Sequence, residues 1–423
     1  MASTIVWKGS APVTRQVDTY SIGGTVEVGD VFTITIGSSV FTYTAATTVV
    51  ATEAAAMAAA IIAAVAAGTY KEFTGLTALY TSGGAFTLTG KTTGEPFTGT
   101  AATTEAGGGA ADAQTFVKTA TTAATSPNHW DNAVNYTGGV VPATGDTLVY
   151  ENSDVPPKWG ATQAAVVLVK LVWADSFTGG CGLPQQHADG YAEYRGTYYD
   201  VAATTELVGF GNGGGPGSGR IKRNNGTNQT ALTVYKSDTS DESTSGIPAV
   251  VWKGTHASNT VTHLGGSLGI GFFGGEVATV ATLKVTSGTV VCGSGVTLTT
   301  VQHSGTATLT INSACTTLTK DPGSGTLYVL GSGAVTTITV YGGTLNYQGN
   351  GTITTLTVGN AGYVTFEDNP IVRTVTNSNF YPGAKIRDRV KSVTWTNDPV
   401  STGADRKDVD ALLGIGRGFN MAG

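Results

Sequence analysis

ATLKVTSGTVVCGSG (281–295), VTLTTVQHSGTATLTINSA (296–314), CTTLTKDPGSGTLYVLGSG (315–333), AVTTITVYGGTLNYQGNG (334–351) and TITTLTVGNAGYVTFEDN (352–369) follow one another without a break, five versions of one pattern. Each holds two short β-prone runs with a glycine-rich corner after each. The corner glycines Gly288, Gly305, Gly325, Gly343 and Gly362 are spaced by 17, 20, 18 and 19 residues, and self-similarity at such a period marks a solenoid. The runs roughly alternate apolar with hydroxyl residues, as in VTTITVY (335–341), so alternate side chains can enter a shared core. An amphipathic helix needs a period of 3.6, and this pattern is closer to two. One coil cannot bury its inner face alone, but stacked coils do so continuously. The stretch therefore reads as a parallel β-helix of at least five coils.

Working outward, 423 residues exceed what one core usually serves, so two or three domains are expected. Sixty glycines and only 12% charged residues suit stacked coils with tight corners. A net charge of −6, with no basic cluster beyond Arg220, Lys222 and Arg223, argues against a nucleic-acid surface. Cys181, Cys292 and Cys315 are too few and too scattered for a disulfide framework or a zinc site and read as buried free thiols. The opening MASTIVWKGSAPV lacks an apolar core and a cleavage site, so export through a signal peptide is not expected. The longest apolar run, Ala54 to Ala67, is 14 residues, too short for a membrane span.

In order along the chain, 1–122 reads as a small α+β module, 123–260 as the solenoid's opening cap and irregular coils, 261–389 as regular β-helix, and 390–423 as a C-terminal tail or arm. The fold class is thus mainly β. In the module, runs at Gln16–Ile22, Val31–Ile36, Phe41–Ala45, Leu79–Thr81 and Phe86–Thr89 surround one helix, Thr52–Ala67. Thr52 is expected to cap that helix, Glu53 to complement its dipole and Gly68 to close it. Met57, Ile61, Ile62 and Val65 give it an apolar edge. Ala101 to Ala113 reads as a loop, Ala120 to Pro127 as a hinge, and Trp130 with Tyr136 as covers for the first coil, which Gly145-Asp146 turns into its strand. Further strands are expected at Ala165–Val172, Tyr198–Ala203, Thr205–Gly209, Ala231–Tyr235 and Ala249–Lys253, and Thr402 to Leu413 as a short charged helix.

Several catalytic patterns match by letter alone. Gly265-Gly266-Ser267-Leu268-Gly269 fits a G-x-S-x-G elbow, but no helix follows. Gly209-Phe210-Gly211-Asn212-Gly213-Gly214 fits G-x-G-x-x-G without the strand–turn–helix that binds phosphate, and Gly217-Ser218-Gly219-Arg220 lacks the Lys-Ser/Thr of a P-loop. Glycoside hydrolysis needs two carboxylates about 5 to 9 Å apart. Between Val251 and Phe380 the acids are Glu276, Asp321, Glu367 and Asp368. The first two lie more than two coils apart and the last two are neighbours at a turn. His129, His187, His256, His263 and His303 show no ligand spacing, and Ser237 to Glu242 lacks the glycine of a calcium loop. Trp173 with Tyr191, Tyr194, Tyr198 and Tyr199 reads as cover for an irregular coil, with sugar stacking as the alternative. No catalytic, cofactor-binding or metal-binding residue is assigned, and an enzyme is not expected.

Three stretches carry a family resemblance: Ala2-Ser3-Thr4-Ile5-Val6-Trp7-Lys8-Gly9, Val26 to Ile36 (VEVGDVFTITI) and Phe86 to Thr98 (FTLTGKTTGEPFT), together with the solenoid opening. The chain resembles β-helical virion proteins of tailed bacteriophages. That resemblance implies a structural part of the particle, a capsid decoration or cement protein. Its partners would be the major capsid protein and copies of itself, as a homotrimer, in a virion assembled in the host cytoplasm. The alternative is a tail spike or fibre that binds a host-surface glycan. No catalytic residue, cofactor, nucleic acid or membrane partner follows from the resemblance.

Overall fold

Threonine, valine, isoleucine and leucine in two-residue alternation leave the repeats no helical face, and the chain resolves the pattern by stacking strands. In the computed structural model, which describes residues 3–106, 114–181, 185–186, 192–193, 198–211, 221–238 and 246–401, a parallel β-solenoid of about 11 turns dominates a mainly β chain. Two compact units are formed, Gly9–Asn135 on the one hand and Met1–Lys8 with Tyr136–Gly423 on the other.

The division corrects the expected boundaries at both ends. Thr4–Trp7 is the first strand of the solenoid, not part of the module: it pairs in parallel with Thr147–Tyr150, Thr4 opposite Thr147 and Trp7 opposite Tyr150. TIVW and TLVY share one in-out alternation, but their separation along the chain hides the match. At the other end, Val393–Trp395 and Val400–Ser401 still pair with Arg373–Phe380, so coils continue past 389. The expected helix at Thr402 to Leu413 lies outside the described residues.

Each regular coil has three sides. In Ala278–Val285 the alternation changes phase across Ala281 and Thr282, so the strand turns a corner in its middle, and the chain then bends again into Thr289–Cys292. Inward residues stack in register from coil to coil. Leu283, Val301, Leu318, Ile338 and Leu356 form one ladder on the long face. Val290, Leu309, Leu327, Leu345 and Val364 form its counterpart on the short face. All ten are fully buried. Corners demand close approach: a Cβ on Gly288 (φ +75°) would meet the Gly266 carbonyl oxygen at 2.3 Å, and one on Gly343 (φ +74°) the Gly323 oxygen at 2.6 Å.

The outer side of the long face is a threonine array. Thr300, Thr317, Thr337 and Thr355 are stacked in register, and Thr319, Thr339 and Thr357 stack two residues further on. At the first coils the inward ladder is aromatic instead. Trp7, Tyr150 and Trp173 are register partners, and the Tyr150 and Trp173 rings stack with centroids 4.2 Å apart. Tyr136 packs edge-on against Trp7 at 5.2 Å, whereas Trp130, expected beside it, is buried within the 9–135 unit. Gly145 takes φ +93° and Asp146 accepts from Ala143 N at 3.0 Å and Ser3 N at 2.9 Å, making the expected turn.

The 9–135 unit holds two antiparallel sheets and helix α1 (Val50–Ala66). One sheet runs in the order Leu76–Ser82, Ala85–Gly90, Val17–Gly23, Thr115–Thr122, the other Ser39–Thr44, Val31–Ile36, Gly99–Thr104. The strands Gly99–Thr104 and Thr115–Thr122 were not expected, and part of the Ala101 to Ala113 tract is therefore strand. Helix α1 buries Ala54, Met57, Ala58 and Ile61 and leaves Ile62 52% exposed, so alanines take the place foreseen for Ile62. Thr52 does not cap it. Glu53 instead accepts from Thr47 N at 2.7 Å, Thr47 Oγ1 at 2.6 Å and Ala46 N at 3.1 Å, holding the incoming chain. Gly68 takes φ +66° past the helix end, as expected. No helix among the described residues is long and apolar enough to cross a membrane.

Ile338→Ala removes one step of the buried ladder and is expected to cost about 2–5 kcal/mol. Thr337→Ala next to it, facing outward, is expected to stay within about 0.5 kcal/mol. Chemical denaturation of the two variants beside the parent checks the contrast.

Candidate binding groove

The literal motifs are absorbed by the scaffold. Ser267 lies on the strand Ser267–Ile270, where its Oγ accepts from Ala249 N at 2.8 Å and donates to the Asp238 carbonyl at 2.9 Å. The first bond is buried and the second partly so, and together they engage the hydroxyl as acceptor and as donor. A Cβ on Gly269 would crowd Phe272, coming within 2.8 Å of its Cβ and 3.0 Å of its ring. Gly209 and Gly211 take positive φ at a corner, while Asn212 to Gly214, and Gly217 to Arg220, lie outside the described residues. So do His187, Tyr191, Tyr194 and residues 239–242 of the acidic loop.

Glu276, Glu367 and Asp368 each have their own partner. Glu276 accepts from the Tyr198 hydroxyl and sits 3.5 Å from Lys253 Nζ, while Glu367 pairs with Arg387 and with Arg389 at 3.5 Å, and Asp368 accepts from Asn346. No group of three or more His, Cys, Asp or Glu able to hold a metal occurs among the described residues. Cys181, Cys292 and Cys315 are buried and free, and burial pushes all three thiols up. Tyr199 and Trp173 are core, with rings 5.4 Å apart. Tyr198 is buried as well, with Lys253 Nζ 3.8 Å and Lys222 Nζ 4.5 Å from its ring centre.

Polar residues also interrupt the inward ladders. Glu206 stands between Leu171 and Leu232, and Arg223 between Tyr199 and Trp252. The two meet in the interior, Arg223 Nε 2.7 Å from Glu206 Oε1 and Nη2 3.2 Å from Oε2, and Trp173 Nε1 donates to the same carboxylate at 3.1 Å. Burial works against the guanidinium charge, but Glu206 outweighs it and raises the Arg223 pKa. The basic cluster of the sequence is thereby split, Arg223 inward and Lys222 outward. His263 and His303 stand in another inward ladder, which runs Val234, His263, Val285, His303, Lys320. Each donates Nε2–H to a carbonyl, Gly266 at 3.3 Å and Ala307 at 2.8 Å, and each Nδ1 has no partner. Burial holds both imidazoles down at about 4, since a second proton would sit unpaired in an apolar wall.

An open groove of about 660 Å³ lies outside the long face of the first coils. Its floor is Thr147, Val149, Lys170 and Val172, outward residues of two paired strands. Its wall is built from three successive corners of the stack, Glu151-Asn152, Asp175-Ser176 and Phe210-Gly211. Asp175 pairs with Lys236, two coils further on, at 3.0 Å. Gly211 (φ +140°) must lack a side chain, because a Cβ would come within 2.4 Å of Asp175 Oδ1. Asn152 holds a left-handed φ of +48° and donates its N–H to Ser176 Oγ at 3.1 Å. Phe210, 45% exposed, rests against Tyr235 at 5.4 Å with Lys170 Nζ 5.7 Å from its centre. None of these residues was singled out as a site by the sequence, because they come from coils of unequal length.

Comparison of the chain with protein-family models, curated proteins and solved structures finds no match.

Two outcomes follow from the buried polar groups. An unfolded histidine binds a proton near 6.5, whereas His263 and His303 in the fold do so only at about 4. Stability is therefore complete above about pH 6.5 and declines as pH falls toward 4, by up to about 3 kcal/mol per histidine. Denaturant midpoints at pH 7.5, 5.5 and 4.5 read the slope, and His263→Gln with His303→Gln should flatten it. Glu206→Gln leaves Arg223 buried without its countercharge and is expected to cost about 3–5 kcal/mol. Replacing both, Glu206→Leu with Arg223→Met, should recover most of that loss in thermal melts.

Proposed function

We propose that the chain is a non-enzymatic structural component of a tailed-phage particle, a capsid decoration or cement protein that binds the shell and copies of itself over broad surfaces. The observation that carries this reading is the threonine array on three successive coils, Thr317 and Thr319, Thr337 and Thr339, Thr355 and Thr357, which bears no ionisable side chain. A flat face of methyl and hydroxyl groups suits extended protein contact, since each threonine offers both apolar area and a hydrogen bond. It offers little to bond-breaking chemistry. The resemblance of Val26 to Ile36 and Phe86 to Thr98 to β-helical virion proteins supports the same reading.

A second reading, a spike or fibre that binds a host-surface glycan, is favoured by the groove with its exposed Phe210 and its mixed acids and amines. Copy number separates the two. Quantitative gels of purified particles are expected to show on the order of hundreds of copies for a shell protein, against about a dozen or two for a spike. Thr337→Arg with Thr355→Arg should lower occupancy on heads while leaving the chain folded. Absence of the chain from particles overturns both readings.

A further inference from the structure

The groove over the first coils combines features that flat scaffolding does not need. Phe210 is a large apolar ring left 45% exposed, backed by Tyr235, itself 39% exposed. It forms one edge of a groove whose other groups are a carboxylate at Glu151, an amide at Asn152 and an ammonium at Lys170. Asn152 is one of two non-glycine residues with positive φ among those described, and such strain is concentrated where a side chain must be aimed. Gly211 keeps the carboxylate of Asp175 in place at the groove wall. A ring face beside convergent donors and acceptors matches a sugar, which presents an apolar C–H face and a rim of hydroxyls.

Charge narrows the class of ligand. Two carboxylates, Glu151 and Asp175, are balanced by two amines, Lys170 and Lys236, and the Asp175–Lys236 pair is already closed at 3.0 Å. An acidic glycan would bring negative charge beside Glu151 with only Lys170 left to meet it, whereas a neutral one brings hydroxyls that both can bind. We propose that this groove binds a neutral oligosaccharide, one ring stacked on Phe210 and its hydroxyls held by Glu151, Asn152 and Lys170. The inference deepens the spike or fibre reading by naming its ligand, and it does not depend on where in a particle the chain resides.

The test is the full-length chain on a glycan array carrying neutral hexose, N-acetylhexosamine and deoxyhexose oligosaccharides beside sialylated and uronic-acid ones, followed by calorimetry on each positive. Binding to a neutral oligosaccharide is expected, weakened about tenfold or more by Phe210→Ala and also weakened by Glu151→Gln, with unchanged melting temperatures. Because Phe210 and Glu151 lie on the surface, both variants should fold, and Thr337→Ala serves as a control that retains binding. Binding only to acidic glycans, binding to none, or binding indifferent to both groove variants overturns the proposal. Copy number stays separate: a low-copy spike that binds no neutral glycan sinks the groove assignment alone, and a high-copy shell protein that does bind sinks the spike reading alone.

Discussion

Everything in the solenoid depends on register, the placing of each inward side chain directly over its equivalent one coil below. Parallel strands lie about 4.8 Å apart, so Leu283, Val301, Leu318, Ile338 and Leu356 touch as a continuous column while their strands pair in parallel from coil to coil. A slip of one residue would turn that column outward and bring threonines in. The corner glycines answer to the same spacing: with the Gly266 oxygen 2.3 Å from where a Gly288 side chain would begin, successive corners can stack this closely only because Gly288 has none.

The same geometry explains why the interior tolerates charge at a few points. Glu206 and Arg223 occupy ladder positions on opposite sides of one coil and satisfy each other through two hydrogen bonds. Arg373, near the far end, feels the charge of Asp388 but is held by carbonyls: it donates to those of Tyr347 at 2.8 Å, Phe366 at 3.1 Å and Ile371 at 2.7 Å, and to that of Asn369. Both arginines lie where coils are irregular, and Arg223 too binds a backbone carbonyl, that of Tyr199. Such pairs add little net stability over an apolar core; they fix which irregular corner forms.

What could be read beforehand follows from how local the information is. VTTITVY declares its period within seven residues, and the coils from Val261 onward were legible for that reason. Gly68 and the Gly145-Asp146 turn were legible too, since each acts on its immediate neighbours. Thr4–Trp7 was not, because four residues carry no period and their partner strand begins at Thr147. Gly99–Thr104 was missed because its alanines and threonines show no strong alternation, and tertiary pairing with Val31–Ile36 decides its state. The groove could not be found by spacing at all: Glu151, Asp175 and Phe210 meet only because coils of different length share one corner.

The placement of that first strand has a bearing on how the molecule is made. Gly9 N donates to the Asn135 carbonyl at 3.3 Å, so the intervening unit closes on itself and returns the chain next to where it left. A ribosome adding roughly 5–20 residues each second holds Thr4–Trp7 unpaired for several seconds to half a minute, until Thr147–Tyr150 emerges. During that interval the 9–135 unit can complete its own core from contacts within itself. Thr4–Trp7 is thus a deferred partner, waiting for a strand made about 140 residues later.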